Sequence, residues 1–171
     1  MTISNLLSLS RLLLSPFIMV FFSQRNIYGV FTLWALAAIT DFLDGQLARK
    51  RGEISDLGKI LDPIADKMTL VFSFLSLMIW YKLPRWFGAI YITKELLQLT
   101  GGLILIRKKR KIIASNYWGK TSTFLFFVGL FLFSLDLEGS SIHSWGLIIL
   151  SLGLFLSLVA FFTYSRNILK K

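Results

Sequence analysis

The sequence contains no cysteine. Disulfides, thiolate nucleophiles and cysteine-based zinc sites are therefore excluded. It is also short of charge: 16% of its 171 residues are Asp, Glu, Lys or Arg, against about a quarter in a soluble domain. The single histidine, His143, sits beside an apolar run and reads as an interfacial loop residue rather than a ligand. No internal repeat, low-complexity segment or long linker is present, so residues 1–171 read as one domain. The N-terminus lacks a basic lead and a small-residue cleavage site. Its first apolar run is expected to be retained as a span rather than removed as a signal peptide.

What the chain does have is apolar length. Hydrophobic residues make up 55% of it, with 16 phenylalanines. A membrane-spanning helix needs roughly 20 mostly apolar residues. Six such spans are expected: Asn5–Phe22, Ile27–Ala48, Leu57–Tyr81, Arg85–Ile106, Tyr117–Leu135 and Ser144–Tyr164. The fold class is all-α, a polytopic membrane protein of six transmembrane helices. Trp80, Trp86, Trp118 and Trp145 lie near span ends, as an aromatic belt would.

The net charge of +10 does not point to nucleic acid, because the basic residues fall between apolar runs. Arg49, Lys50 and Arg51 fill the second connection, Arg107 to Lys111 the fourth, and Arg166, Lys170 and Lys171 the end. Cytoplasmic loops carry the excess of Lys and Arg, which puts both termini and both basic loops in the cytoplasm.

Five of the six aspartates crowd into one stretch, Asp41 to Lys67: Asp41, Asp44, Asp56, Asp62 and Asp66. Asp56 reads as a first-turn acid favoured by the helix dipole. The other four are different. Ile27–Thr40 and Met68–Tyr81 are each too short to cross alone, so each helix must continue through the acidic stretch. The two helices run antiparallel from a turn near Gly52, which sets the four carboxylates at one depth, just inside the cytoplasmic face. Asp41 and Asp44 are i,i+3, and Asp62 and Asp66 are i,i+4, so each pair shares a helical face.

One unpaired charge at membrane depth costs ~2.5–3.5 kcal/mol on insertion scales. Four carboxylates must share protons, pair with Lys59 or Lys67, or hold cations. Hard divalent ions suit an all-oxygen site, and Mg²⁺ keeps water and substrate phosphate oxygens among its ligands. Two such ions can clamp a phosphoryl group in transfer. Gly45, Ala48 and Gly58 lie on or beside the carboxylate faces, where small residues allow close approach of a helix or ligand. Arg49, one turn beyond Gly45, suits a phosphate. Pro63 removes a backbone donor beside Asp62, tolerable where backbone lines a cavity.

The stretch reads D-x2-D-G-x2-A-R-x8-G-x3-D-x3-D, as Asp41, Asp44, Gly45, Ala48, Arg49, Gly58, Asp62 and Asp66. At every position it resembles the signature of the CDP-alcohol phosphatidyltransferases, and the six-helix layout extends the resemblance over the chain. The resemblance implies transfer of a substituted phosphoryl group from a CDP-linked lipid to an alcohol, with release of CMP, by a dimeric enzyme of the inner membrane whose site opens to the cytoplasm. It implies that Asp41, Asp44 and Asp62 hold a pair of Mg²⁺ or Mn²⁺ ions. Asp66 is implied as the general base, also touching a metal. Gly45, Ala48, Arg49 and Gly58 are implied to line the nucleotide pocket.

Further pieces resemble the bacterial phosphatidylglycerophosphate synthases of that family: "NLLSLSRLLLSPF" with Asn5 and Arg11, "LGKILDPIADK", "TKE" at Thr93–Glu95, and "GKTST" at Gly119–Thr123. They imply CDP-diacylglycerol as donor and glycerol 3-phosphate as acceptor. A departure is Gly101 and Gly102, where some of those enzymes carry an arginine. Lys120, Arg107, Arg110 and Lys111 are the candidate contacts to acceptor phosphate, Lys120 because a lysine at a helix N-terminus opposes the dipole unless an anion is bound. Lys94 and Glu95, adjacent rather than stacked, are expected to need separate partners. Arg11 is expected to snorkel or to support the site. Other acceptors — phosphatidylglycerol giving cardiolipin, inositol phosphate, serine — fit the same chemistry. A cation channel or transporter lined by aspartate is a different class, for which paired broken helices in two halves would be expected; the chain has one motif and no second copy.

Overall fold

Pro16 cuts the first apolar run. The structure, a computed structural model, describes residues 3–51, 58–107, 117–135 and 141–169. Among these the regular elements are all helices. Proline lacks an N–H and disfavours helical geometry in the residue before it. The stretch expected as one span over Asn5–Phe22 is therefore two helices, α1 (Ile3–Leu14) and α2 (Phe17–Ser23). The remaining helices are α3 (Ile27–Arg51), α4 (Gly58–Trp80), α5 (Arg85–Arg107), α6 (Tyr117–Ser134) and α7 (Ser141–Leu169). Leu57, expected to open the third span, and Asp56 lie outside the described residues. His143 lies in the first turn of α7 rather than in a loop, its ring 4.3 Å from that of Phe133. The helix starts three residues earlier than expected, and the imidazole gains an aromatic neighbour there.

The chain divides into two compact units, Met1–Pro84 and Arg85–Lys171. In the first, α1 and α2 pack against both α3 and α4, while α3 and α4 touch each other only lightly. The sequence explains the arrangement. Asn5, Ser8, Arg11 and Ser15 recur every three or four residues along an otherwise apolar helix, and all four are buried. The polar stripe of α1 faces inward. The matching face of α4 carries Thr69, Ser73 and Ser76, also buried. Small hydroxyl residues let helices approach closely in lipid. Ser73 Oγ donates to the Thr69 carbonyl (2.8 Å) and accepts from the indole Nε1 of Trp34 on α3 (3.0 Å). Away from the aspartates, Phe22, Trp34 and Tyr81 form an edge-to-face cluster with centroids 6.2 and 5.4 Å apart.

The same end of this unit is closed by a tight cap. The N–H groups of Arg25 and Asn26 bond the carbonyls of Phe22 and Phe21 at 3.1 and 2.9 Å. Such a cap needs a left-handed residue and ordinarily uses glycine. Here Arg25 takes it, at φ 55°. Its guanidinium lies 4.6 Å over the Tyr81 ring and donates to the Trp80 carbonyl at 3.3 Å, offsetting the backbone strain.

In the second unit α6 and α7 form an antiparallel hairpin. Gly129 faces Leu150, Gly146 faces Phe133 and Gly153 faces Phe126. A Cβ on Gly146 would stand 2.9 Å from the Phe133 backbone nitrogen, so the close approach needs glycine there. Tyr91 of α5 stacks edge-on against Phe126, centroids 4.8 Å apart.

Among the described residues three stretches are long and apolar enough to cross a bilayer: Asn5–Ser23, Leu61–Trp80 and Ser141–Thr163. Ile27–Leu43 is a shorter apolar stretch. Charged side chains at Asp41, Asp44, Lys94 and Glu95 break the apolar run in α3 and α5. The outer surface presents Leu13, Phe17, Phe124, Phe155 and Phe162. Apolar exposure on that scale belongs in lipid rather than water. The protein is an all-helical membrane protein.

Candidate active site

Arg11 ties the acidic stretch together. Its Nη1 lies 2.8 Å from Asp41 Oδ1 on α3 and 2.6 Å from Asp66 Oδ1 on α4. The Arg11 side chain is 3% exposed, while Asp41 and Asp66 remain 55% and 47% exposed. The guanidinium is thus the buried floor and the carboxylates are the accessible wall. One turn earlier on α1, Ser8 donates to Asp62 Oδ1. Three of the four expected aspartates therefore meet around one short segment of α1. α3 and α4, expected to set their carboxylates at one depth, touch each other only lightly; α1 packs against both and makes the junction. Beside it opens a small, mostly apolar cleft lined by Arg11, Ser15, Ile18, Leu36, Ala37 and Thr40 among others.

The helical register explains the convergence. Asp41, Asp44, Gly45, Ala48 and Arg49 fall at i, i+3, i+4, i+7 and i+8 on the last turns of α3. Their shared face is a property of the backbone; the side chains of Asp44, Gly45, Ala48 and Arg49 lie outside the described residues. Gly58, Asp62 and Asp66 are spaced by fours on the first turns of α4, which continues unbroken through Pro63. Gly58 is buried.

The profile of the CDP-alcohol phosphatidyltransferase family matches residues 1–159. The chain belongs to this family. A CDP-diacylglycerol–glycerol-3-phosphate 3-phosphatidyltransferase from Aquifex aeolicus is 40% identical over 139 residues, covering 80% of this chain and 76% of that protein. One of the same name from Mycoplasma pneumoniae is 31% identical over 149 residues, covering 81% and 65%. A CMP-forming cardiolipin synthase from Streptomyces coelicolor is 32% identical over 130 residues, covering 72% and 60%.

For a phosphatidyltransferase the donor set has a clear chemical character. Asp41, Asp62 and Asp66 offer only hard oxygens, the ligand type that Mg²⁺ and Mn²⁺ prefer. A positive group already sits between Asp41 and Asp66. By ligand type, all hard oxygen, the three carboxylates suit a divalent ion. Among the described residues no group of three acidic or histidine side chains stands close enough to form a ligand set by itself.

The candidates for acceptor phosphate divide. Lys120 is exposed in the first turn of α6. In the same motif the hydroxyls of Thr121, Ser122 and Thr123 bond the helix's own carbonyls, at Tyr117 and Gly119. Arg110 and Lys111 lie outside the described residues, as does the side chain of Arg107. Lys94 and Glu95, expected to need separate partners, pair with each other, and both are buried. The flexible lysine stem reaches the neighbouring carboxylate, and in low dielectric mutual neutralisation outweighs the awkward spacing. Lys94 Nζ also stands 5.4 Å from the centre of the Tyr91 ring.

Ser8 is the site residue that the sequence argument missed. Its signal was present: it lies three residues before Arg11, on the one polar stripe of an apolar helix.

Proposed function

We propose that this enzyme transfers a phosphatidyl group from CDP-diacylglycerol to glycerol 3-phosphate, giving phosphatidylglycerophosphate and CMP. The observation that carries the reading is the meeting of Asp41 and Asp66, from different helices, on one guanidinium beside an apolar cleft. The names of the Aquifex and Mycoplasma relatives support the acceptor.

In the proposed reaction Asp66 takes the proton from the attacking hydroxyl of glycerol 3-phosphate, a role that needs a carboxylate within hydrogen-bond reach. The hydroxyl oxygen forms a bond to the phosphorus attached to diacylglycerol. The bond from that phosphorus to the bridging oxygen breaks, and CMP leaves with the electron pair. Asp41, Asp44, Asp62 and Asp66 would hold Mg²⁺ or Mn²⁺, which when bound neutralises the diphosphate and the charge that develops on CMP. Gly45, Ala48 and Gly58 leave room for the cytidine diphosphate, and Arg49 meets its phosphates. Lys120 and Arg110 serve the phosphate of the acceptor.

The two units are read as one membrane domain, because the family match runs from residue 1 to residue 159. Six spans, with both termini and the basic loops on the cytoplasmic side of the inner membrane, follow from the charge distribution. A homodimer is the proposed assembly, after the family pattern.

The Streptomyces relative favours a second reading, in which phosphatidylglycerol is the acceptor and cardiolipin the product. One assay separates them. Purified protein in detergent receives CDP-diacylglycerol, Mg²⁺ or Mn²⁺, and a panel of acceptors, and CMP is measured. Release that depends on glycerol 3-phosphate supports the first reading. Release that depends on phosphatidylglycerol replaces it with the second. Release without acceptor dependence, or undiminished by exhaustive chelation, sinks the mechanism.

A further inference from the structure

Arg11 has work that the aspartate motif does not account for. Its guanidinium is almost fully buried, yet it ends between carboxylates on two different helices. A buried cation in a membrane protein is expensive unless paired, and Asp41 and Asp66 pair it. The oxygens it holds are also ones a divalent cation would use. A guanidinium and a divalent cation cannot both hold them at full strength, because like charges a few ångströms apart repel. Asp41 and Asp66 stay about half exposed around the buried guanidinium, so an incoming cation can reach the oxygens it holds.

We propose that Arg11 is a positioning residue: a resident counter-ion that keeps the carboxylates of α3 and α4 gathered and yields their oxygens to the incoming divalent cation. This rests on the reading of Asp41 and Asp66 as cation ligands. It makes two demands that a purely structural arginine does not. Removing the charge should strengthen cation binding, since a competitor is gone. It should also make stability depend on the cation, since the carboxylates then repel each other when the cation is stripped away.

The test uses the full chain in detergent, with Mn²⁺ as probe and R11M as variant. Affinity is read from the electron paramagnetic resonance signal of free Mn²⁺, and stability from thermal unfolding with excess chelator or with Mn²⁺. R11M is expected to bind Mn²⁺ about tenfold more tightly or better, within the usual range of coupling between two sites. Its melting temperature should fall in chelator and recover in Mn²⁺. Weaker binding, or a loss of stability that Mn²⁺ does not restore, overturns the proposal. R11M/D41N removes one charge together with its partner, and should regain part of the lost melting temperature in chelator. No recovery also overturns it, and this variant keeps the question open to test if R11M folds poorly. Wild-type protein that does not bind Mn²⁺ sinks the cation reading and this inference with it. Wild-type binding matched by unchanged R11M affinity sinks this inference alone.

Discussion

Arg11 and Asp66 are 55 residues apart in the chain and 2.6 Å apart in space. The contact fixes which way the Asp66 carboxylate points while leaving nearly half of its surface accessible. That combination suits a base that must meet a hydroxyl arriving from outside. D66N keeps the shape and removes the proton acceptor. Turnover is expected to fall by about 10²–10⁴-fold or more, with CDP-lipid binding largely kept. Parallel measurement of CMP release and of nucleotide-lipid binding checks this. A variant that loses binding and folding together would make Asp66 a structural residue.

Ser8 is fully buried and its hydroxyl donates to Asp62. S8A leaves that oxygen without its fixed donor. The expected stability loss is about 1 kcal/mol, typical of one hydrogen bond. The Mg²⁺ concentration for half-maximal activity should rise more noticeably, because Asp62 is then free to turn away. A Mg²⁺ titration of S8A beside wild type measures it. Unchanged Mg²⁺ dependence would confine Ser8 to packing.

Lys94 and Glu95 form a buried pair in α5. Breaking a buried ion pair from one side costs roughly 3–5 kcal/mol. K94M should therefore unfold at much lower temperature, whereas K94M/E95L should come close to wild type. Thermal unfolding in detergent checks both. If the double variant is stable but inactive, the pair serves the reaction rather than the fold.

Glycines predict opposite signs at different places. G146A drives a Cβ to within 2.9 Å of the Phe133 backbone nitrogen. Backbone cannot yield as a flexible side-chain tip can, so α6 and α7 must separate and stability should fall by about 1–3 kcal/mol. At Gly101 and Gly102 an added Cβ meets nothing within 4 Å. G101A and G102A should each stabilise α5 by roughly 0.5–1 kcal/mol, the cost of glycine within a helix. Melting temperatures of the three variants decide it.

Much of this was legible in the chain itself. Helix positions followed from apolar length, and the boundaries of α3, α5 and α6 fell within a few residues of expectation. The spacing of Asp41 and Asp66 foretold that their helices bring them to one place, the Arg11 guanidinium, with Asp62 held one turn away by Ser8. Two things escaped, both for physical reasons. Asn5–Ser23 is long and apolar enough to cross, as expected, but hydropathy sums over a stretch and cannot see one proline, so the helix break at Pro16 escaped. Adjacent charges were judged by helical geometry alone, which ignores how far a lysine stem can bend in low dielectric; hence the Lys94–Glu95 pair. The role of α1 was hidden differently. A search led by acidic residues looks for helices that carry them, and α1 carries none. Its contribution is the inward polar stripe of Asn5, Ser8, Arg11 and Ser15. The Trp34–Ser73 bond left no spacing signal, since it joins residues 39 positions apart on two helices.

The distance along the chain between Arg11 and Asp66 also orders events during synthesis. At about 5–20 residues per second, the ribosome makes the arginine several seconds before its second carboxylate partner. Until the fourth helix emerges, the nascent amino-terminal segment carries a guanidinium with only one of its two carboxylate partners, Asp41, and has reason to linger at the lipid headgroups. Its inward docking is then a late step of biogenesis, completed only when the downstream aspartate arrives.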